Sequence, residues 1–156
     1  FASCTVLWKK SCFNGNKFNE ELLYAEEWEC YIRLITNGFS GIMIDNILYF
    51  NRKHSNSNTA EFFNNNPLRR ESYTKAILLV VQNLKQKQLL TYSLKRYFIV
   101  RSIDFQEYNL LMKILKILDL SFLERLQWQI FFKVLPFRLM IYRNKKLIKN
   151  EKIKKK

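Results

Sequence analysis

The sequence has few of the residues from which zinc sites and disulfide frameworks are built. It contains one histidine and three cysteines, Cys4, Cys12 and Cys30, and no two of the cysteines form a C-x-x-C pair. A structural zinc site needs closely spaced Cys and His ligands, and a disulfide framework needs an even set of cysteines. The sequence therefore argues against both and favours reduced, buried or idle thiols in a reducing cytosolic environment.

Long apolar runs and a secretion signal are also missing. The most apolar region, residues 126–142, is interrupted by Lys133, Pro136 and Arg138, so a membrane-spanning helix is not predicted. No stretch near the start has the charged beginning, apolar middle and small-residue cleavage site of a secretion signal. The chain begins at Phe1 within an apolar stretch, and we expect it to begin inside a fold.

Acidic residues are scarce in the second half of the chain. Residues 1–66 hold six Lys/Arg and seven Asp/Glu, a net charge of −1, whereas residues 67–156 hold 21 and six, a net charge of +15. A segment this basic is attracted to phosphate-bearing surfaces, either nucleic acid or an anionic membrane face. A third alternative is a helical subdomain or partner-docking surface whose charges are simply solvated.

The apolar pattern predicts an α/β first part, residues 1–66, and an all-α basic region, residues 67–156. In the first part, strands are predicted at residues 2–8 and 39–52, a helix at residues 25–36, and a loop from residue 53 to residue 66. From Pro67 onwards the spacing is helical. Helix starts are predicted at four places: Asn66-Pro67, Thr91, Asp104-x-x-Glu107 and Ser121-x-x-Glu124. Pro136 is expected to kink or divide the last helix.

An acidic cluster at the start of the first predicted helix is the place where acid/base chemistry would lie. Residues 18–34 contain five Glu, and Glu26 and Glu27 fall where backbone amides and the helix dipole favour a carboxylate. Adjacent helical residues point about 100 degrees apart, so only one of the two can face a given cleft. On the residues alone, helix capping explains this cluster better than catalysis. Arg33 is predicted to pair with Glu26 or Glu29.

The order of the motifs resembles the C-terminal half of the catalytic domain of family 2 glycosyltransferases. In that family a strand is followed by f-x-E, an E-D-W at a helix start, an Arg-Leu, and then l-Y-x-y-R-x-H-x-x-S-x-T. The corresponding residues here are Phe18-Asn19-Glu20, Ala25-Glu26-Glu27-Trp28, Arg33-Leu34, Gly38, Leu48-Tyr49-Phe50-Asn51-Arg52-Lys53-His54 and Ser57-Asn58-Thr59. The resemblance covers roughly residues 1–64.

The resemblance implies a GT-A nucleotide-sugar fold and sugar transfer with inversion at the anomeric carbon. It assigns the role of catalytic base to the second acidic residue, Glu27, with Glu26 beside it. The family more often has Asp there, and Glu places the carboxylate outward by on the order of 1.5 Å. Trp28 and Glu20 would lie on the acceptor side, although an aromatic residue at helical spacing is more often part of a core.

The donor side of such an enzyme is implied only in part. Arg52, His54 and Ser57 match the loop near the donor diphosphate, where a mobile basic segment could close over the nucleotide; an exposed histidine without a role is an equal alternative for His54. The family's D-x-D, which holds Mg²⁺ or Mn²⁺, has no counterpart, and His54 is the one imidazole that could ligate a metal. We therefore expect a divalent metal in the full-length enzyme and no activity from this chain alone.

The partners implied are a nucleotide-sugar donor and a glycan or lipid-linked acceptor of cell envelope polysaccharide synthesis. The protein would be cytoplasmic, with residues 67–156 docking on the inner face of the cell membrane. A non-catalytic nucleic-acid-binding or protein-interaction module is the competing hypothesis. No zinc-finger spacing or Gly-rich loop supports nucleic-acid binding.

Overall fold

The regular secondary structure of the described part consists of helices. The computed structural model describes the backbone of residues 5–50 and 57–154, and the side chains of these residues except 138, 139 and 141–154. After a 3-10 helix at Lys10–Phe13, the α-helices are α1 (Glu26–Thr36), α2 (Asn58–Phe63), α3 (Pro67–Gln86), α4 (Tyr92–Asp104), α5 (Tyr108–Ile117) and α6 (Phe122–Lys154).

The predicted α/β class, a partial GT-A fold in residues 1–66, is wrong. No β-strand occurs in residues 5–50 or 57–154. Residues 5–8 and 39–50, which carry most of the two predicted strand regions, form none, and residues 2–4 and 51–52 lie outside the described part. A strand needs a neighbouring strand to pair its backbone N–H and C=O groups. Residues 5–8 and 39–50 therefore form no sheet in the described part of the chain, although their composition favours strands.

The first compact unit extends to Leu94, and in it α1 and α2 both pack on α3. Cys30, Tyr31 and Leu34 of α1 are buried against partly buried apolar residues that include Trp8. The Trp8 and Tyr31 ring centroids are 5.1 Å apart. The α3 residues buried in this unit are Ser72, Ala76, Ile77, Val80, Val81 and Leu84. The buried residues of α1 therefore pack on the segment that contains Trp8, and α1 also contacts α3.

The second compact unit begins at Lys95 and contains most of α4 together with α5 and α6. Its buried apolar residues are Phe98, Ile99, Ile103, Leu110, Leu111, Ile114, Leu115 and Leu118. These residues recur every three or four positions along α4 and α5, as expected for helices that bury one face. The division of the chain into domains 1–66 and 67–156 stays a prediction. Helix α3, which begins at Pro67, belongs to the first compact unit.

Three of the predicted helix starts are confirmed. Asn66 Oδ1 accepts hydrogen bonds from the N–H groups of Leu68 and Arg69, and Pro67 occupies the first turn of α3. Thr91 Oγ1 accepts a hydrogen bond from the Leu94 N–H at 3.3 Å. The third start, Ser121 with Glu124, forms both hydrogen bonds of a capping box. These caps satisfy backbone N–H groups that have no acceptor inside the helix.

The fourth predicted helix start is wrong. Asp104 ends α4 instead of starting a helix, Gln106 has a left-handed φ of 56°, and Glu107 precedes α5 without a side-chain cap. Pro136 lies inside α6 and does not divide this helix of 33 residues, and the predicted kink stays a prediction. A proline removes one donor, but a long helix can keep its remaining hydrogen bonds around it.

Candidate functional site

The turn that precedes α1 is held by polar side chains of α3. Ser72 Oγ lies 2.8 Å from the backbone nitrogens of both Leu23 and Tyr24, which donate to it, and 2.9 Å from the Tyr24 carbonyl oxygen. Arg69 donates to the Leu23 carbonyl oxygen, and Lys75 forms an ion pair with Glu21. Buried Ser72 is thus the centre of an anchor that sets where α1 begins.

Sequence reasoning did not find this anchor. The three-to-four residue spacing of α3 indicates its apolar face, whereas Arg69, Ser72 and Lys75 belong to no motif in the sequence. Their spacing of three places them on successive turns of one side of α3, and that regularity is the signal that was available. Which segment they bind depends on long-range contacts that spacing cannot show.

The first turn of α1 starts from an unusual backbone conformation. Ala25, the residue before the helix, has φ 65° and ψ 18°, in the left-handed region, and its side chain cannot cap the helix. Its carbonyl oxygen accepts the Glu29 N–H at 3.0 Å. The first-turn N–H groups of α1 therefore receive no side-chain cap, and they contribute positive electrostatic potential where Glu26 and Glu27 lie.

One carboxylate of the acidic cluster has a structural role. Glu29 is buried, and its two carboxylate oxygens accept hydrogen bonds from Arg33 Nε at 2.9 Å and Nη2 at 3.1 Å. Arg33 Nη2 also donates to the Lys17 carbonyl oxygen at 2.7 Å. The hydrogen bonds to Glu29 raise the pKa of Arg33 above its usual range. This confirms the predicted pairing of Arg33 within the helix and removes Glu29 from the set of candidate bases.

Glu26 and Glu27 remain available for chemistry. Both side chains are half-buried, and neither forms an ion pair or hydrogen bond with any residue in the described part of the chain. Glu27 lies three, four and seven residues before buried Cys30, Tyr31 and Leu34, so it begins the inward face of α1. Glu26 lies further around the helix, seven residues before Arg33. The two carboxylates therefore lie on different sides of α1, because adjacent helical residues point about 100 degrees apart.

A cluster of aromatic side chains adjoins the start of α1. Tyr24 and Phe62 are stacked with centroids 4.8 Å apart, and Tyr73 of α3 lies 6.1 Å from Tyr24 and 5.0 Å from Phe62. Trp28 extends the cluster, with its ring centroid 6.3 Å from that of Tyr73. The guanidinium carbon of Arg70 lies 5.1 Å from the Phe62 centroid. We call Tyr24, Trp28, Phe62 and Tyr73 the aromatic cluster.

The cluster shows that Trp28 serves packing and still has exposed surface. Phe62 is buried, whereas Tyr24, Trp28 and Tyr73 are only partly buried. Partly exposed aromatic rings offer an apolar face on which the C–H side of a sugar or another flat group can stack. The two alternatives for Trp28, core residue and acceptor contact, are therefore compatible in this position.

Of the other predicted site residues, the structure describes Glu20 and Ser57. Glu20 is exposed and has no hydrogen bond or ion pair to residues 5–50 or 57–154. Ser57 caps α2, accepting the Ala60 N–H at 3.1 Å, which uses its hydroxyl in folding. Arg52 and His54 lie outside the described residues. The predicted loop at residues 53–66 in fact contains helix α2.

The described residues do not fit the divalent metal that the resemblance implies. Within residues 5–50 and 57–154, no three His, Cys, Asp or Glu side chains come close enough together to hold a metal ion. Cys12 and Cys30 are free thiols, and burial raises the pKa of Cys30. In α1, Glu29 is paired with Arg33, and Glu26 and Glu27 point in directions about 100 degrees apart. No step of the chemistry is assigned to a metal on this chain.

We compared the chain with protein-family models, with curated proteins and with solved structures. None of the three comparisons produced a match. The resemblance to family 2 glycosyltransferases therefore rests on the motifs between Phe18 and Thr59. Any function assigned to the chain has to be argued from those motifs and from the site described above.

Proposed function

We propose that this chain provides the acceptor side of an inverting glycosyl transfer from a nucleotide-sugar donor, with Glu27 as the general base. The observation that carries this proposal is Glu27, a half-buried carboxylate without a partner among the described residues, at the start of α1 and next in sequence to Trp28 of the aromatic cluster. A carboxylate in this setting can accept a proton, and the adjoining rings can hold a sugar.

In the proposed reaction, an acceptor hydroxyl oxygen attacks the anomeric carbon of the donor sugar. The bond from that carbon to the nucleotide diphosphate breaks, and its electron pair leaves with the diphosphate. Glu27 takes the hydroxyl proton, and the attack from the opposite side inverts the configuration. A base in the correct position contributes a rate increase of about 10²- to 10⁴-fold.

Each neighbouring residue has a separate part in this proposal. Trp28, supported by Tyr73, stacks against the acceptor sugar, whereas Glu29 and Arg33 keep α1 in place and take no part in proton transfer. Glu26 is the second candidate base. The family's D-x-D, which would hold the metal and the donor diphosphate, has no counterpart in this sequence, so we expect the chain alone to transfer no sugar.

The acceptor class that fits the proposal is a glycan or lipid-linked saccharide of the cell envelope. Such acceptors are present at the cytoplasmic face of the cell membrane, and we place the protein there. The sequence motifs support the transfer reaction, and the aromatic cluster supports saccharide binding.

Saccharide binding is tested first, with the full chain. NMR titration with neutral mono- and disaccharides should give saturable shifts in the ring signals of Tyr24, Trp28 and Tyr73. Trp128, an aromatic residue of α6, is the internal control and should not shift. Equal shifts at Trp128, or no shift at Trp28 at saturating millimolar saccharide, would contradict the acceptor role.

Catalysis is tested by two matched substitutions in a protein that joins this chain to a nucleotide-sugar-binding half. Glu27→Gln should lower kcat by about 10²- to 10⁴-fold with little change in acceptor KM, because Gln cannot take the proton. Glu26→Gln makes the same chemical change one residue earlier and should retain most of kcat. A larger loss of kcat in Glu26→Gln than in Glu27→Gln would assign the base to Glu26. If both variants keep the kcat of the parent protein, α1 carries no base.

A further inference from the structure

Helix α6 carries an apolar stripe that faces away from its own unit. Its members are separated by three or four residues, so they lie on one side of the helix. Leu123, Ile130 and Phe137 are 69%, 52% and 60% exposed. Leu126 and Val134 lie between them and are also exposed. We call Leu123, Leu126, Ile130, Val134 and Phe137 the α6 stripe.

A different side of α6 makes the contacts within the unit. Phe132 lies against Tyr108 at the start of α5, with ring centroids 5.4 Å apart, and is partly buried. Trp128, four residues earlier, is partly buried as well. A residue four positions away along a helix lies on the same side, so Trp128 and Phe132 define the packed face. The α6 stripe lies on another face, and its exposure is not explained by packing on α5.

The surroundings of the α6 stripe are basic. Residues 122–156 contain 11 Lys/Arg and two Asp/Glu, a net charge of +9. Lys133 and Arg125 are exposed on the same helix, and the sequence that follows the stripe contains most of the remaining cations. An exposed apolar stripe beside clustered Lys and Arg is the pattern of a helix that lies in the plane of a membrane interface.

We propose that the α6 stripe binds the surface of an anionic lipid bilayer, with α6 parallel to that surface. The apolar side chains enter the boundary between headgroups and acyl chains, and the basic residues contact phosphate-bearing headgroups. A helix of 33 residues is about 50 Å long, enough for the whole stripe to lie on one plane. Within the described residues, no helix is sufficiently long and apolar to pass through a membrane, so binding along the surface is the mode assigned.

Charge complementarity favours a bilayer over a second copy of the chain. Two α6 helices packed stripe to stripe would bring two segments of net charge +9 together, and the repulsion would oppose the contact. An anionic surface attracts the same charges. Nucleic acid would attract them too, but it offers no apolar surface for Leu123, Ile130 and Phe137.

The test is co-sedimentation of the full chain with phosphatidylcholine vesicles, with and without phosphatidylglycerol. Binding should require phosphatidylglycerol and weaken as salt is raised. Leu123→Gln with Ile130→Gln should reduce the partition coefficient by on the order of tenfold or more, because two apolar side chains no longer enter the interface. These residues are among the most exposed of α6, so circular dichroism should show unchanged helix content.

A matched control replaces the same two residue types elsewhere. Leu68→Gln with Ile35→Gln alters exposed side chains of α3 and α1 and should leave vesicle binding unchanged. Equal binding to neutral vesicles, or equal loss in the control pair, would overturn the proposal. So would tighter binding to duplex DNA that the Leu123 and Ile130 changes do not weaken, or a dimer in sedimentation velocity that those changes dissociate. Failure here would leave the saccharide-binding test of the first unit unaffected.

Discussion

Ser72 and Tyr24 exchange two hydrogen bonds across 48 positions of the sequence. The Tyr24 N–H donates to Ser72 Oγ at 2.8 Å, and Ser72 Oγ lies 2.9 Å from the Tyr24 carbonyl oxygen. Because Ser72 is buried on α3, these hydrogen bonds fix the chain immediately before the proposed base on α1. The position of Glu27 therefore depends on a hydroxyl group in a helix that begins forty residues later.

Replacing Ser72 with Ala should loosen the start of α1. The Leu23 and Tyr24 N–H groups would lose their acceptor, and an unsatisfied buried donor costs about 1–3 kcal/mol. We expect amide hydrogen exchange to accelerate at Leu23 and Tyr24. The midpoint of urea unfolding should fall below that of the parent protein. Ser93→Ala, at an exposed serine, is the control. Unchanged protection at both amides would contradict the anchor.

Local signals in the sequence were sufficient for the helices and insufficient for the sheet. Asn66-Pro67 marks the start of α3 by chemistry that acts within a few residues, and the helix predicted at residues 25–36 is α1, Glu26–Thr36. Residues 39–50 have strand composition, but a strand forms only with a partner. The α/β prediction failed because it took β-propensity as evidence for such a partner.

The backbone of Ala25 gives a second prediction. Its φ of 65° is in the left-handed region, which costs an L-residue about 1–2 kcal/mol and costs glycine almost nothing. Ala25→Gly should therefore raise the free energy of unfolding by roughly 0.5–1 kcal/mol after the added chain entropy is subtracted. The matched change Ala60→Gly, inside helix α2, should lower it by about 1 kcal/mol. Urea denaturation measures both, and equal losses would argue against the left-handed conformation.

The Glu29–Arg33 pair supports a third prediction. Arg33→Ala leaves the buried Glu29 carboxylate without its charged donor and should lower the free energy of unfolding by about 1–3 kcal/mol. Glu21→Gln breaks the ion pair with Lys75 at an exposed position, where solvent screens the charges, and should cost less stability than Arg33→Ala. Thermal and urea unfolding compare the two variants. A larger loss for Glu21→Gln would show that burial does not set the strength of these pairs.

The roles of Glu26, Glu27 and Trp28 stay predictions that come from the family resemblance, since residue type and spacing alone favour helix capping. The pairing of Glu29 with Arg33 follows from helix spacing, and the structure shows it. The aromatic cluster was not predicted, because Tyr24, Phe62 and Tyr73 are far apart in sequence and meet only when α2 and α1 pack on α3. Contacts of this kind follow from tertiary packing, on which periodicity carries no information.

Cys30 should be a slow-reacting thiol. It is fully buried, and burial raises its pKa above the ordinary range because the thiolate would be poorly solvated. An acid whose pKa is raised by folding adds stability that is present below its unfolded pKa and lost as the pH rises above about 8.5. In Cys30→Ala, the free energy of unfolding should fall less as the pH rises above about 8.5. Thiol labelling between neutral and alkaline pH should modify Cys12 before Cys30, and the reverse order would contradict this burial.

The capping box of α6 gives the opposite pH dependence. Hydrogen bonds from the Ser121 hydroxyl and N–H hold the pKa of Glu124 below its ordinary value, because both donors favour the ionised carboxylate. A carboxyl group whose pKa is lowered by folding adds stability at higher pH that is lost as the pH falls through its folded pKa. The Ser121 amide shift in NMR should follow this titration, with a midpoint below that of an ordinary glutamate. Ser121→Ala should raise the Glu124 midpoint, and Glu124→Gln should abolish the titration at the Ser121 amide. A midpoint for Glu124 at or above that of a glutamate in an unstructured peptide would show that the capping box does not form in solution.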